Sequence, residues 1–125
     1  MTKKILVADD EREILDLVVT AVKSLGPGYM VITASNGSEL PEIIQNEKPD
    51  LIILDILLPG IDGYSLQLQF AQSDYAKNIP VIIITALPAA RSLFEKFAQV
   101  KLFLTKPFST QELLGKIHDI LAEEA

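Results

Sequence analysis

The sequence predicts an α/β protein built on an open parallel sheet, and three observations carry that prediction. Short apolar runs alternate with helically periodic segments along almost the whole chain, the pattern of βαβ units. The runs Ile5-Leu6-Val7-Ala8, Leu51-Ile52-Ile53-Leu54 and Val81-Ile82-Ile83-Ile84 are continuously apolar, as strands covered on both faces are. Each of them, and a further stretch Leu102-Phe103-Leu104-Thr105, runs directly into residues that carry chemistry: Asp9-Asp10, Asp55, Thr85-Ala86 and Lys106-Pro107. Parallel strands bring their C-terminal ends to one edge, where open α/β sheets bind ligands. Three carboxylates, a hydroxyl and an ammonium would meet there, a constellation suited to a divalent metal and a phosphoryl group.

The elements follow in order. After the first strand, Ile14, Val18, Ala21 and Leu25 recur at helical spacing until Gly26-Pro27-Gly28 stops the helix. Asp10, ahead of that helix, is also placed to cap it. Tyr29 to Ala34 reads as the second strand. Leu40, Ile43 and Ile44 mark a second helix, with Asn36 and Glu39 spaced as a capping box and Pro41 tolerated in its first turn. Pro49-Asp50 closes it before the third strand. The stretch Tyr64 to Phe70 alternates with period two and, taken alone, reads as a strand. Two buried parallel strands need a crossover, so a helix is expected, with Leu66 and Phe70 on its apolar face. Ala90, Leu93, Phe94 and Phe97 outline a fourth helix. Leu113, Leu114, Ile117, Ile120 and Leu121 outline a fifth, for which Ser109 and Glu112 form a capping box. The total is five strands and five helices in one domain spanning residues 1–125.

Composition bounds the function. At 125 residues and 49% hydrophobic, the chain can bury a sizeable core but is short for two domains. It contains no cysteine, which removes disulfide and thiolate chemistry and favours a cytoplasmic setting. No apolar run approaches the ~20 residues of a membrane span, and Met1 to Ile5 leads into a strand without a signal-peptide pattern. A formal net charge of −6 argues against nucleic acid as a direct partner. His118, the only histidine, is expected to be an exposed helix residue rather than a ligand.

Taken together, Asp9-Asp10, the D-x-x-x-P-x-x-D-G run from Asp55 through Pro59 to Asp62-Gly63, Thr85-Ala86 and Lys106-Pro107 resemble a receiver domain of the bacterial two-component response regulators. The resemblance implies a flavodoxin-like, doubly wound sheet of order 2-1-3-4-5. It also implies phosphorylation of Asp55 by a histidine kinase or histidine phosphotransfer protein, with Mg²⁺ or Mn²⁺ as cofactor and a downstream protein or fused output domain as target. Its ligand set would be Asp10 and Asp55, Asp9 directly or through water, and the backbone carbonyl of Leu57. Asp55 would be the nucleophile, with Lys106 and Thr85 engaging the phosphoryl group. The chemistry is coherent with that set. A cation must neutralise the approach of phosphoryl oxygens to a carboxylate, and a hard divalent ion takes oxygen ligands. Although X-Pro bonds are cis only about 5% of the time in folded proteins, the resemblance implies a cis bond at Lys106-Pro107. It also places at Phe103 an aromatic whose rotamer follows Thr85.

The chain departs from the family pattern around its fourth helix. Phe97 to Lys101 lacks the usual Gly-Ala turn, Pro88 follows soon after Thr85, and the span to Lys106 is slightly short. Rival readings fit less well. A flavodoxin-like FMN carrier would not place Asp9-Asp10-Glu11 where its phosphate binds, and an aspartate-nucleophile phosphatase would carry a second acid at the position of Leu57. A degenerate receiver, acting only as a binding module, would lack one of the phosphorylation residues.

Overall fold

The computed structural model describes residues 2–123. Five strands, β1 (Lys3–Ala8), β2 (Tyr29–Ala34), β3 (Leu51–Leu54), β4 (Val81–Thr85) and β5 (Val100–Thr105), alternate with helices α1 (Arg12–Lys23), α2 (Leu40–Glu47), α3 (Gly63–Gln72), α4 (Arg91–Phe94) and α5 (Thr110–Glu123). The strands form one parallel sheet of order β2-β1-β3-β4-β5, the doubly wound arrangement expected. The last two residues of the stretch that closes the fifth helix in the sequence reading lie outside the described residues.

Alternation along the strands divides the core between the two faces. Leu6, Ala8, Ile52, Leu54 and Ile83 point to the side covered by α2, α3 and α4, where Leu40, Ile44, Leu66, Phe70 and Phe94 pack on them. Ile5, Val7, Ile53, Ile82 and Ile84 point to α1 and α5, meeting Val18, Val22, Leu113, Ile117 and Ile120. The three central strands are buried on both faces, which explains why their sequences are apolar runs rather than alternating ones.

The period-two stretch is indeed helical. Leu66 and Phe70 are buried one turn apart in α3, and Leu68 and Gln69 are exposed. Asp62 caps α3, its carboxylate accepting from the Ser65 N–H at 3.0 Å and the Ser65 hydroxyl at 2.9 Å. Those bonds hold the Asp62 pKa below its usual value. Ser109 caps α5 by accepting from the Glu112 N–H at 3.2 Å.

Four local expectations need correction. Asn36 does not box α2. Its side chain accepts from the Ser38 N–H at 2.9 Å and caps a 3-10 turn at Gly37–Glu39, after which α2 begins at Leu40 with Pro41 in its first turn. Asp10 does not cap α1, whose N-cap is Glu11 without a side-chain bond; Asp9 Oδ1 takes the Glu11 N–H instead, at 2.8 Å. The fourth helix is one turn, Arg91–Phe94, after a 3-10 turn at Pro88–Ala90, so Phe97 falls beyond it and Leu93 is 51% exposed. Val100 and Lys101 belong to β5 rather than to the turn before it, and the β4–β5 register shifts between Val81 and Ile82 to absorb the extra residue.

Beyond the end of α4, Gln99 anchors the chain. Its side-chain nitrogen donates to the carbonyl oxygens of Ala76 at 3.1 Å and Ile79 at 2.8 Å, and its backbone carbonyl accepts from the Val81 N–H at 2.7 Å. Gln67, fully buried on α3, donates to Gln99 Oε1 at 2.9 Å. These bonds pin the chain to the N-terminal edge of the sheet, and Phe97 N–H closes the segment with a bond to Phe94 O at 3.1 Å. Nothing in the period of the apolar residues signals that anchor.

Candidate functional site

The sheet order brings β1, β3, β4 and β5 side by side, so the residues that follow them share one edge. Asp55 N–H bonds to Ala8 O at 2.9 Å and Lys106 N–H to Thr85 O at 2.8 Å, extending the ladders past the strand ends and fixing these side chains next to one another. Asp9 and Thr85 are fully buried, Asp55 is nearly so, and Asp10 is exposed.

Lys106 is the hub. Its Nζ lies 2.8 Å from Asp55 Oδ2, 2.9 Å from Asp9 Oδ2 and 3.1 Å from Glu11 Oε2. Burial works against the ammonium, but the bonds to Asp55, Asp9 and Glu11 outweigh it and hold the lysine pKa above its usual value. The peptide bond between Lys106 and Pro107 is cis, in agreement with the resemblance. Asp55 Oδ1 accepts from the Leu57 N–H at 2.9 Å. The Thr85 hydroxyl accepts from the Leu87 N–H at 3.4 Å, which leaves its proton free to donate.

Asp9 carries the electrostatic tension of the site. Burial raises its pKa, the Asp55 charge adds to the rise, and the Glu11 N–H and Lys106 only partly offset them. Its Oδ2 is fully buried and, beyond the ion pair with Lys106, makes no aligned hydrogen bond. One carboxylate oxygen from each of Asp9, Asp10 and Asp55 can be chosen so that all lie within 4.8 Å of one another. A buried, under-satisfied carboxylate oxygen within such a trio is the donor chemistry that a hard divalent cation satisfies, so these residues fit one.

Sequence reasoning named every member of this cluster except Glu11, which it treated only as a charge that would repel phosphate. The signal was present, because Glu11 directly follows Asp9-Asp10 at the same edge. Phe103 is buried in the core against Phe94, with ring centroids 6.4 Å apart, and the Arg91 guanidinium lies 4.9 Å above its ring and donates to its carbonyl at 3.2 Å. His118 is exposed, its Nδ1 3.6 Å from Asp119.

A parallel sheet of order 2-1-3-4-5 covered by helices on both faces defines a class, the flavodoxin-like fold, here with an acidic rim and a paired lysine at its carboxyl edge. Within that class the chain belongs to the response regulator receiver domain family, which it matches over residues 5–118. It is 38% identical over 125 residues to the alkaline phosphatase synthesis transcriptional regulatory protein PhoP of Bacillus subtilis, covering 97% of this chain and 49% of that protein. The chain spans about half the length of the curated relatives it matches. Among solved structures, a CheY-like response regulator receiver domain protein from Methanospirillum hungatei superposes with a TM-score of 0.86 at 29% identity, over 98% of this chain and 96% of that one. TrrA of Thermotoga maritima, solved in complex with Mg²⁺ and BeF, superposes with a TM-score of 0.82 at 31% identity, over 95% and 99%. Among the described residues, no helix is long and apolar enough to cross a membrane.

Proposed function

We propose that this domain is a phosphoacceptor switch, in which Asp55 takes a phosphoryl group from a histidine kinase or histidine phosphotransfer protein. The observation that carries the reading is the contact of Lys106 with Asp55 at 2.8 Å, at the edge shared with Asp9, Asp10 and Thr85. A carboxylate oxygen of Asp55 attacks phosphorus, the bond from phosphorus to the donor nitrogen or oxygen breaks, and the donor leaves with the electron pair. Lys106 exchanges its bond to Asp55 for one to a phosphoryl oxygen, and the Thr85 hydroxyl donates to another. A bound divalent cation would supply charge neutralisation, held by Asp9, Asp10, Asp55 and the Leu57 carbonyl, with Mg²⁺ or Mn²⁺ the ions of suitable hardness.

Drawing Thr85 toward the phosphoryl group moves the loop to α4, and the output face would be α4, β5 and α5. The domain would catalyse only its own modification, in the cytoplasm, and pass the signal to a separate protein or an attached output domain. The direct test is incubation with acetyl phosphate and Mg²⁺, followed by intact mass. A single phosphoryl adduct supports the reading, and its absence at saturating donor overturns it.

The Asp9 environment sets the sign of the metal response. A carboxyl whose folded pKa is raised contributes stability below its unfolded pKa of about 4 and loses it as pH rises through the folded pKa. Metal binding relieves the charge that then develops. Mg²⁺ is therefore expected to raise the melting temperature of the unmodified domain at pH 7 and to have little effect at pH 4, and Asp10→Ala should shrink the pH 7 shift. Equal shifts at both pH values, or full retention in Asp10→Ala, would remove these carboxylates as ligands.

The phosphorylated form is expected to be long-lived. Leu57 and Leu87, the residues two beyond Asp55 and Thr85, are 49% and 45% exposed, and in similar proteins these positions flank the path of the hydrolytic water. Neither can orient water, and one such hydrogen bond is worth about 1 kcal/mol, or roughly fivefold in rate. Leu57→Asn with Leu87→Glu should speed loss of the adduct in Mg²⁺ by at least that factor. An unchanged or slower decay would show that the leucines do not govern water access.

A further inference from the structure

The geometry points to Glu11 as a positioning residue that latches Lys106 in the resting state and competes with a phosphoryl group for it. This rests on the phosphoacceptor reading above. Lys106 lies against three carboxylates, donating aligned hydrogen bonds to Asp55 and Glu11 and pairing with Asp9 at 2.9 Å without one. Of these partners, Asp55 and Asp9 are buried at strand ends, where backbone bonds to Leu57 N–H and Glu11 N–H hold them. Glu11 differs in kind. Its side chain is 59% exposed, its contact is the longest of the three at 3.1 Å, and it precedes α1. It is the partner that can swing into solvent without breaking any other hydrogen bond found among the described residues.

Modification of Asp55 converts one carboxylate charge into a phosphoryl group with more charge and more acceptor oxygens, all seeking the same lysine. As the bond to Asp55 passes to the phosphoryl group, Glu11 remains the other aligned partner of the ammonium and competes with further phosphoryl oxygens for it. The exposed ion pair to Glu11 costs least to break, since pairs of this kind are worth little in water. Glu11 thus competes with the incoming group for the lysine and places a negative charge at the mouth through which an anionic donor enters.

Two effects are thereby superimposed, and substitutions separate them. Glu11→Gln removes the charge, while Glu11→Asp keeps the charge but shortens the side chain by one methylene so that it cannot span the same distance. Glu13→Gln removes a charge two residues further on that makes no ion pair with Lys106. The probe is beryllium fluoride with Mg²⁺, titrated by NMR, with acetyl phosphate kinetics read in parallel by intact mass. The latch predicts roughly threefold tighter fluoride binding in both Glu11→Gln and Glu11→Asp, the scale of one exposed ion pair, and no change in Glu13→Gln. It predicts a lower half-saturating acetyl phosphate concentration in the same two variants. Wild-type affinity in Glu11→Asp would reduce the effect to simple charge repulsion and overturn the latch. Failure of the wild-type domain to bind the probe at all would instead overturn the phosphoacceptor reading beneath it.

Discussion

Asp55→Asn is expected to abolish the phosphoryl adduct completely. Asp55 follows β3, is 3% exposed and contributes a carboxylate to the trio while hydrogen-bonded to Lys106, whereas Asp10 is exposed and Asp9, fully buried, makes no aligned bond to the lysine. An amide at position 55 keeps the shape and the bond from Leu57 N–H but has no anionic oxygen to attack phosphorus. The measurement is intact mass after incubation with acetyl phosphate and Mg²⁺. A full adduct in the variant would place the nucleophile elsewhere and overturn the assignment.

Removal of Lys106 should have the largest effect on stability. The lysine is 11% exposed in its side chain and is the only cation within 4.0 Å of Asp9 or Asp55 among the described residues. Breaking a buried ion pair by deleting one member typically costs about 3–5 kcal/mol, because the remaining charge is left uncompensated. Asp9 can escape part of that cost by taking up a proton, so Lys106→Ala is expected near the lower end, ~3 kcal/mol by urea unfolding at pH 7. A divalent cation replaces the missing charge, so Mg²⁺ should stabilise the variant by more than it stabilises the wild type. Unfolding at the wild-type midpoint without metal would mean that the lysine contributes nothing net to the resting cluster.

Most of this architecture was legible because each central strand announces itself twice, once as an apolar run and once by the polar residue that ends it. The β3 run into Asp55 and the β4 run into Thr85 are cases in point. Topology then overrode local pattern at Tyr64 to Phe70, where periodicity alone pointed to a strand. What stayed hidden depended on contacts between distant residues. The Gln67–Gln99 pair joins positions 32 apart and anchors the segment between α4 and β5, yet neither glutamine interrupts an apolar period in a way that flags it. Glu11 reaches Lys106 across 95 residues, and only the assembled edge shows that a charge read as repelling phosphate also holds the lysine.

The single turn of α4 has an energetic consequence. A helix gains most of its hydrogen bonds after nucleation, and one turn barely passes that stage. Arg91–Phe94 buries one side chain, Phe94, and its order is borrowed from the rings around it: Tyr64 at 6.0 Å and Phe103 at 6.4 Å. Tyr64 also meets Phe97 at 5.8 Å and sits beneath the Lys96 ammonium. Because few backbone bonds would be forfeited, the work of re-setting this segment is mainly the work of re-seating aromatic rings. Such an element has a low threshold for change, and the two arrangements that the proposed switch requires would differ by little free energy while their surfaces differ a great deal.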